Sequence, residues 1–265
     1  MRLGVIGCGN MGAALVRGMV AGKVAPAGRI LCADADAAKA RALAQSLKVR
    51  AVRSNAELAA RCRVVLLAVK PQQMEGVLEE IHASMGKWTL VISIAAGIRT
   101  GWIEKRVGSS VPVVRVMPNT PALVGAGISA VAPGRRASAA HLKRAERILK
   151  AVGEVVRVPE RWMDAVTAVS GSGPAYFFHL MEQMIRAGRE IGLSPAVARR
   201  LTLATAAGAA ALAARGEDPA ALRAKVTSKG GTTEAAFRVF ERAGLARTLR
   251  AGVRAAAKRS KELSR

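Results

Sequence analysis

Arg2-Leu3-Gly4-Val5-Ile6, followed without a break by Gly7-Cys8-Gly9-Asn10-Met11-Gly12, is the stretch on which the fold turns. The first five residues are a short apolar run of strand character. The next six space their glycines as G-x-G-x-x-G, and Ala13-Ala14-Leu15-Val16-Arg17-Gly18-Met19 behind them reads as a helix. That spacing is weak evidence alone. Between a strand and a helix it is the setting in which a backbone loop cradles a dinucleotide. Gly7 permits the tight turn, Gly9 lets the backbone approach a pyrophosphate, and Gly12 lets the helix pack closely on the strand.

Outward from this turn, apolar runs recur at the spacing of strands. Residues 29–33 form the second, ending at Asp34. An acid there holds ribose hydroxyls and favours NAD, whereas a basic side chain such as the nearby Lys39 or Arg41 accommodates a 2′-phosphate. Asp34 or Asp36 can equally cap the helix that starts near Ala37. Ser54-Asn55-Ala56-Glu57 is a capping box. Val64-Val65-Leu66-Leu67-Ala68-Val69 is unbroken, as a strand buried on both faces of a parallel sheet requires, and it ends in Lys70-Pro71-Gln72. Ligands of open α/β sheets lie outside the carboxyl ends of strands, so Lys70 either faces a ligand or is a solvated charge. Leu90-Val91-Ile92-Ser93-Ile94 runs into Ala95-Ala96-Gly97, small residues that leave room for a flat ring. Val113-Val114-Arg115-Val116-Met117 leads to Pro118-Asn119-Thr120-Pro121, whose prolines fix the loop. Further strands are expected at 128–132 and 154–158, separated by a helix that Ser138 caps.

From about Pro159 the strand-like runs stop and long Ala/Leu-rich helices begin. The boundary therefore falls at 158/159: a Rossmann-like doubly wound sheet over 1–158, then an all-helical domain over 159–265. Pro174, Ser194-Pro195 and Asp218-Pro219 mark helix starts. Residues 201–214 carry small side chains on nearly every face, which suits a closely packed interface and predicts an obligate dimer. Val226-Thr227-Ser228-Lys229-Gly230-Gly231-Thr232-Thr233 runs directly into another helical pattern. Unpaired amides at such a helix start point outward from the positive end of the dipole, a place for a carboxylate or phosphate. An ordinary helix cap explains the same hydroxyls.

Composition narrows the function. The chain has 265 residues, 42 Lys and Arg against 18 Asp and Glu, and a formal charge of +24. Such charge invites a nucleic-acid reading. The basic residues are scattered, however, and Tyr176 is the only tyrosine, so stacking platforms are scarce. A solvated basic surface that favours anionic ligands is expected, with no specific nucleic acid. Cys8, Cys32 and Cys62 form no CxxC pair, and His82, His141 and His179 lack metal-ligand spacing. No metal is expected. No leader is read at the start, and 201–214 is too short and too rich in Ala and Gly for a membrane span. A soluble cytoplasmic protein is expected.

These residues also carry a resemblance. GCGNMG from Gly7, AVKPQ from Ala68, SIAAG from Ser93, MPNTPA from Met117, AVSGSGPAYFF from Ala168 and VTSKGGTTEAAF from Val226 are similar to the pyrroline-5-carboxylate reductases, over essentially the whole length. The last two are the most specific. Lys229 stands where that family usually has proline. The resemblance implies reduction of (S)-1-pyrroline-5-carboxylate to L-proline by NADP(H), with NAD as the alternative, in a homodimer or ring of dimers. The active site would lie between the Rossmann domain of one subunit and helices shared across the dimer. It further implies that Gly7, Gly9, Asn10, Met11 and Gly12 cradle the pyrophosphate, and that Asp34 and Asn55 lie near the adenosine ribose. Ala68, Val69, Lys70, Pro71, Ala95, Ala96, Gly97 and Asn119 would complete the cofactor site. Ser228, Gly230, Gly231, Thr232 and Thr233 would hold the substrate, with the Thr233 hydroxyl reaching the imine nitrogen. Two other readings compete with it. A β-hydroxyacid dehydrogenase needs a Lys and an Asn where alignment on Gly171-Ser172-Gly173 puts Phe177 and Met181. A non-catalytic nicotinamide-binding or nucleic-acid-binding protein would have no use for the intact 228–233 loop.

Overall fold

The computed structural model describes residues 2–86, 88–108 and 110–264. Packing divides the chain into Met1–Ser172 together with Ala256–Arg265, and Gly173–Ala255.

Among the described residues the first unit holds eight strands: β1 Leu3–Ile6, β2 Ile30–Ala33, β3 Arg50–Ala51, β4 Val64–Leu67, β5 Leu90–Ser93, β6 Val113–Met117, β7 Gly127–Pro133 and β8 Gly153–Arg157. They form one sheet in the order β3-β2-β1-β4-β5-β6-β7-β8. The first six are parallel, and the reversal of order at β1/β4 is the doubly wound switch point. β7 turns back antiparallel to β6, and β8 runs parallel to β7. Only residues 118–126 separate β6 from β7, too few for the crossover that a parallel partner needs. Its start is pinned by Asn119, whose Oδ1 accepts from the Ile128 amide at 2.9 Å.

Helices cover both faces. α1 Asn10–Ala21, α2 Ala37–Leu47 and α6 Ala139–Leu149 pack on one side, where Val5, Cys32, Leu66 and Ile92 are buried. α3 Asn55–Arg61, α4 Met74–His82 and α5 Thr100–Val107 cover the other, where Ile6, Leu31, Val65 and Val91 are buried. The alternation follows the two-residue period of strands, and β4 is buried at all four positions, as its unbroken apolar run requires. Ser54 accepts from the Glu57 amide at 3.1 Å, but the Glu57 carboxylate reaches back to the Arg53 amide rather than to that of Ser54.

The stretch after β8 and the end of the chain both pack with the sheet. Glu160 accepts from the Thr100 amide and hydroxyl, each at 2.7 Å, and pairs with the buried Arg115 of β6 at 3.3 Å. A buried guanidinium needs such a partner. After the short α7 Met163–Val166 and a π-helical turn Thr167–Gly171, Asp164 accepts from the hydroxyls of Ser260 and Ser264 at 2.7 and 3.1 Å. Residues 159–172 and 256–264 thus follow the sheet in packing, although strands end at Arg157.

The second unit is helical: α8 Gly173–Glu190, α9 Pro195–Ala213, α10 Pro219–Lys225, α11 Thr232–Arg242 and the first part of α12 Leu245–Leu263. Ser194 and Asp218 cap α9 and α10 through their side chains. α8 and α9 pack closely where Gly188 faces Ala198. The unit buries little of its own apolar surface: Phe177 is 65% exposed, Phe178 60% and Val239 59%. No helix among the described residues is long and apolar enough to cross a membrane.

Candidate active site

The glycine loop folds as its spacing predicts. Gly7 adopts φ +99°, a region open to glycine, and its amide donates to the Ala33 carbonyl at 2.8 Å. The Cys8 amide donates to Asp34 Oδ2 at 2.6 Å, and Asp34 Oδ1 accepts from the Asp36 amide at 2.8 Å. Asp36, rather than Asp34, caps α2, accepting from Ala38 at 3.0 Å. Asp34 is therefore a tie between β2 and the glycine loop. Behind the loop, a hydrogen bond from the buried Cys32 lowers the Cys8 thiol against the opposing pull of burial and of Asp34. α1 begins at Asn10 with no side-chain cap and no acid in its first turn. The first-turn amides of Asn10, Met11 and Gly12 thus lie at an uncapped helix start, which suits an anion.

Against this loop lies a cavity of about 290 Å³ lined by Gly7, Gly9, Asp34, Asn55, Ala68, Val69 and Lys70. Residues from four segments of the sequence thus meet at the switch point of the sheet. Asn55 is held in place by Glu80, which accepts from its amide at 2.9 Å and its Nδ2 at 2.6 Å, leaving Oδ1 to accept from a ligand hydroxyl. Lys39 and Gln73 line the same cavity. Lys39 is paired with Asp36 at 3.5 Å on the exposed edge of α2. Its position beside Asp34 was legible in the sequence; Gln73 gave no signal there.

A second cavity, of about 200 Å³, is lined by Pro71, Ala96 and Gly97 together with Gln72, Ile98, Thr167, Ser260 and Leu263. Gly97 is at φ +74°, and an added Cβ would stand 2.9 Å from the Leu263 carbonyl. The last three lining residues come from distant sequence, and no local pattern announces them. Ala95 is buried, its amide bonded to Ser93 Oγ at 3.3 Å, and Asn119 is engaged with β7; neither lines these two cavities.

In the second unit, the 226–233 loop delivers its residues to the start of α11. Gly230 takes φ +73°, and its amide donates to Glu234 Oε2 at 2.7 Å. The Gly231 amide closes a turn on the Ser228 carbonyl at 3.0 Å. A Cβ on Gly231 would lie 2.4 Å from Ser228 Oγ, so only glycine lets that hydroxyl fold under the turn. Gly231 is the N-cap residue and no side chain caps the helix. The Thr232 and Thr233 hydroxyls are thus not used as caps. Of the amides expected to receive an anion, those of Thr232 and Thr233 stand at the open first turn, while those of Gly230 and Gly231 have partners within the loop. Lys229 is exposed.

A glycine loop, an uncapped helix and a cavity at the switch point of a doubly wound sheet define a Rossmann-type dinucleotide-binding protein. Comparison with known proteins takes the class further. Residues 160–263 match the family model for pyrroline-5-carboxylate reductase dimerisation, and residues 2–97 match one for NADP oxidoreductases, coenzyme F420-dependent. The pyrroline-5-carboxylate reductase of Pseudomonas aeruginosa is 45% identical over 99% of this chain and 97% of that protein. The solved pyrroline-5-carboxylate reductase of Coxiella burnetii superposes with a TM-score of 0.93 at 37% identity, covering 100% of this chain and 98% of that one. The Plasmodium falciparum pyrroline carboxylate reductase, solved with NADP bound, gives 0.90 at 30% identity, over 100% and 98%. The chain belongs to the pyrroline-5-carboxylate reductase family of oxidoreductases.

Proposed function

We propose that the chain reduces (S)-1-pyrroline-5-carboxylate to L-proline, the last step of proline biosynthesis, with NADPH as donor and NADH as the alternative. Full-length family membership is the observation that carries this reading. The residues present fit the cofactor. The first-turn amides of α1 suit the pyrophosphate, Gly9 has open space where a side chain would stand, and Asp34, Lys39 and Asn55 line the cavity beside it. We place the adenosine ribose against Asp34 and Asn55, with Lys39 toward a 2′-phosphate. Pro71, Ala96 and Gly97 line the smaller cavity, small residues that leave room for a flat ring, and we assign the nicotinamide to that side.

Bound NADPH supplies a hydride to the imine carbon. The chain's own task is to hold the ring, orient it and manage the proton on nitrogen. Thr232 and Thr233 amides, helped by the Ser228 hydroxyl, hold the substrate carboxylate at the start of α11. The Thr233 hydroxyl hydrogen-bonds the imine nitrogen and keeps its proton in place while the carbon becomes tetrahedral. A protonated imine is already electrophilic, so this orientation suffices without a strong base. Residues 159–265 form the dimerisation domain in this reading, 1–158 the dinucleotide domain, and the enzyme works as a cytoplasmic homodimer or a ring of dimers.

Oxidation of NADPH, and separately of NADH, with pyrroline-5-carboxylate as acceptor tests the reading. Turnover with at least one is expected, and none with either would overturn it. Thr233→Ala lowers kcat by about ten- to a thousandfold, the scale of one proton-handling group. An unchanged rate removes Thr233 from the mechanism.

A further inference from the structure

Far from the glycine loop, at the amino-terminal edge of the same sheet, Arg2, Arg29, Arg61, Arg63 and Arg144 line a concave space of about 520 Å³. Three of them form a row dictated by strand register. Leu3 of β1 pairs with Ile30 of β2 and with Val64 of β4. The residues one step earlier, Arg29, Arg2 and Arg63, immediately precede three neighbouring strands and so enter the sheet side by side at its amino end. The Arg63 amide donates to the Arg2 carbonyl at 3.2 Å, which continues the pairing past the strand ends. Arg61, at the end of α3, and Arg144, on α6, close the space from the two helical layers.

Most of this charge is uncompensated. Arg61 pairs with Glu57, but no carboxylate lies within ion-pair distance of the other four among the described residues. Like charges placed opposite one another on neighbouring strands are destabilising. Arg2 and Arg61 also act on the buried Cys62 thiol, where their field opposes the rise that burial causes. The fold thus gathers positive charge here with one internal partner, Glu57, for five arginines.

We propose that this arginine basin is a second ligand site, separate from the dinucleotide cavity, and that it takes a compact polyphosphate anion. Guanidinium forks match phosphate oxygens in pairs, and several converging forks need more than one phosphate. The volume lies in the range of small-molecule sites. All five lining residues are arginines, so no aromatic ring offers a base a stacking surface, and recognition is of the phosphate chain. Inorganic tripolyphosphate and the triphosphate tail of a nucleotide present that same chemistry.

Calorimetric titration of the full chain with tripolyphosphate, ATP and adenosine, at matched ionic strength and with NADP saturating the dinucleotide cavity, tests this. Saturable binding of tripolyphosphate, one per chain, is expected, with no heat from adenosine. ATP binding about as tightly as tripolyphosphate supports recognition of the phosphate chain, whereas much tighter ATP binding would show that the base is read and would overturn it. The variant R29Q/R63Q/R144Q should weaken tripolyphosphate at least about tenfold, the loss of roughly one charge-assisted contact, with reductase rates unchanged. Should the triple variant misfold, Arg29→Gln alone, at an exposed position, should still weaken binding severalfold with an unchanged circular dichroism spectrum. Absence of saturable binding, equal affinity in the folded variants, or tighter binding of a single-stranded oligonucleotide at equal phosphate concentration would each overturn the proposal.

Discussion

Asp34 ends β2 with both carboxylate oxygens engaged by backbone amides, one on the glycine loop and one at the entry to α2. A residue that merely touched the ribose would alter the choice between NADH and NADPH and leave folding alone. This one does more, because removing the carboxylate leaves the Cys8 amide without its partner in a half-buried place. Asp34→Ala is expected to cost about 1–2 kcal/mol of stability, the scale of a lost bond to a charged acceptor after allowance for solvent. It is also expected to raise KM for both cofactors, because the loop loses its tie. Denaturant unfolding and steady-state kinetics with each cofactor check it; unaltered stability with a change in NADH alone would return Asp34 to a simple recognition role. The neighbouring Asp36 cap was legible because capping is local, two residues from donor to acceptor. The Asp34 tie spans 26 residues, and only the paired β1 and β2 bring its ends together.

At the scale of the element, the strand, glycine loop and α1 separate two uses of glycine that the spacing alone does not. An added Cβ at Gly12 would stand 1.9 Å from the Gly7 carbonyl oxygen, inside the loop itself, while one at Gly9 meets nothing within 4 Å. Gly9 has ordinary extended angles, φ −67° and ψ −174°, so alanine fits there without strain. Gly12→Ala should therefore damage the fold, with reduced yield and a lower unfolding midpoint. Gly9→Ala should fold as well as the wild type, or gain about 0.4–1 kcal/mol from a stiffer unfolded chain. Its KM for NADPH should nevertheless rise about tenfold or more, equivalent to about 1.4 kcal/mol of lost contact. Thermal unfolding and kinetics on both variants test the pair; a Gly9→Ala enzyme with unchanged KM would remove the pyrophosphate from that spot. The apolar runs, caps and prolines made this half of the fold readable, since each acts over a few residues. The cavity beside Gly97 was only half readable. Pro71 and Ala96 follow the carboxyl ends of β4 and β5, where ligands are expected, whereas Ser260 and Leu263 arrive through the docking of the last turns of α12, held by the Ser260 and Ser264 hydroxyls on the Asp164 carboxylate.

Across the whole molecule, the two units differ in how they are held together. The sheet unit buries a hydrophobic layer on each face and can account for its own stability. The helical unit cannot: among its residues Gly173, Ala198 and Thr202 are buried, while Phe177, Phe178, Leu201, Val239 and Leu249 remain exposed. Exposed apolar surface on this scale marks an interaction face, and the matched dimerisation family names its kind. A second copy of the chain would bury these side chains and supply the core that the helices lack. Light scattering should then give at least twice the chain mass of 27.6 kDa, and the unfolding midpoint should rise with protein concentration, because association stabilises by mass action. Replacing Phe177 and Phe178 together by aspartate should shift the mass toward one chain. It should also lower the midpoint by about 5–10 °C, the effect of two to three kcal/mol at roughly 2–4 °C each in a chain of this length. A wild-type mass of one chain with a concentration-independent midpoint would mean that the helical unit is stable with its apolar face in water, and the dimer would have to be abandoned.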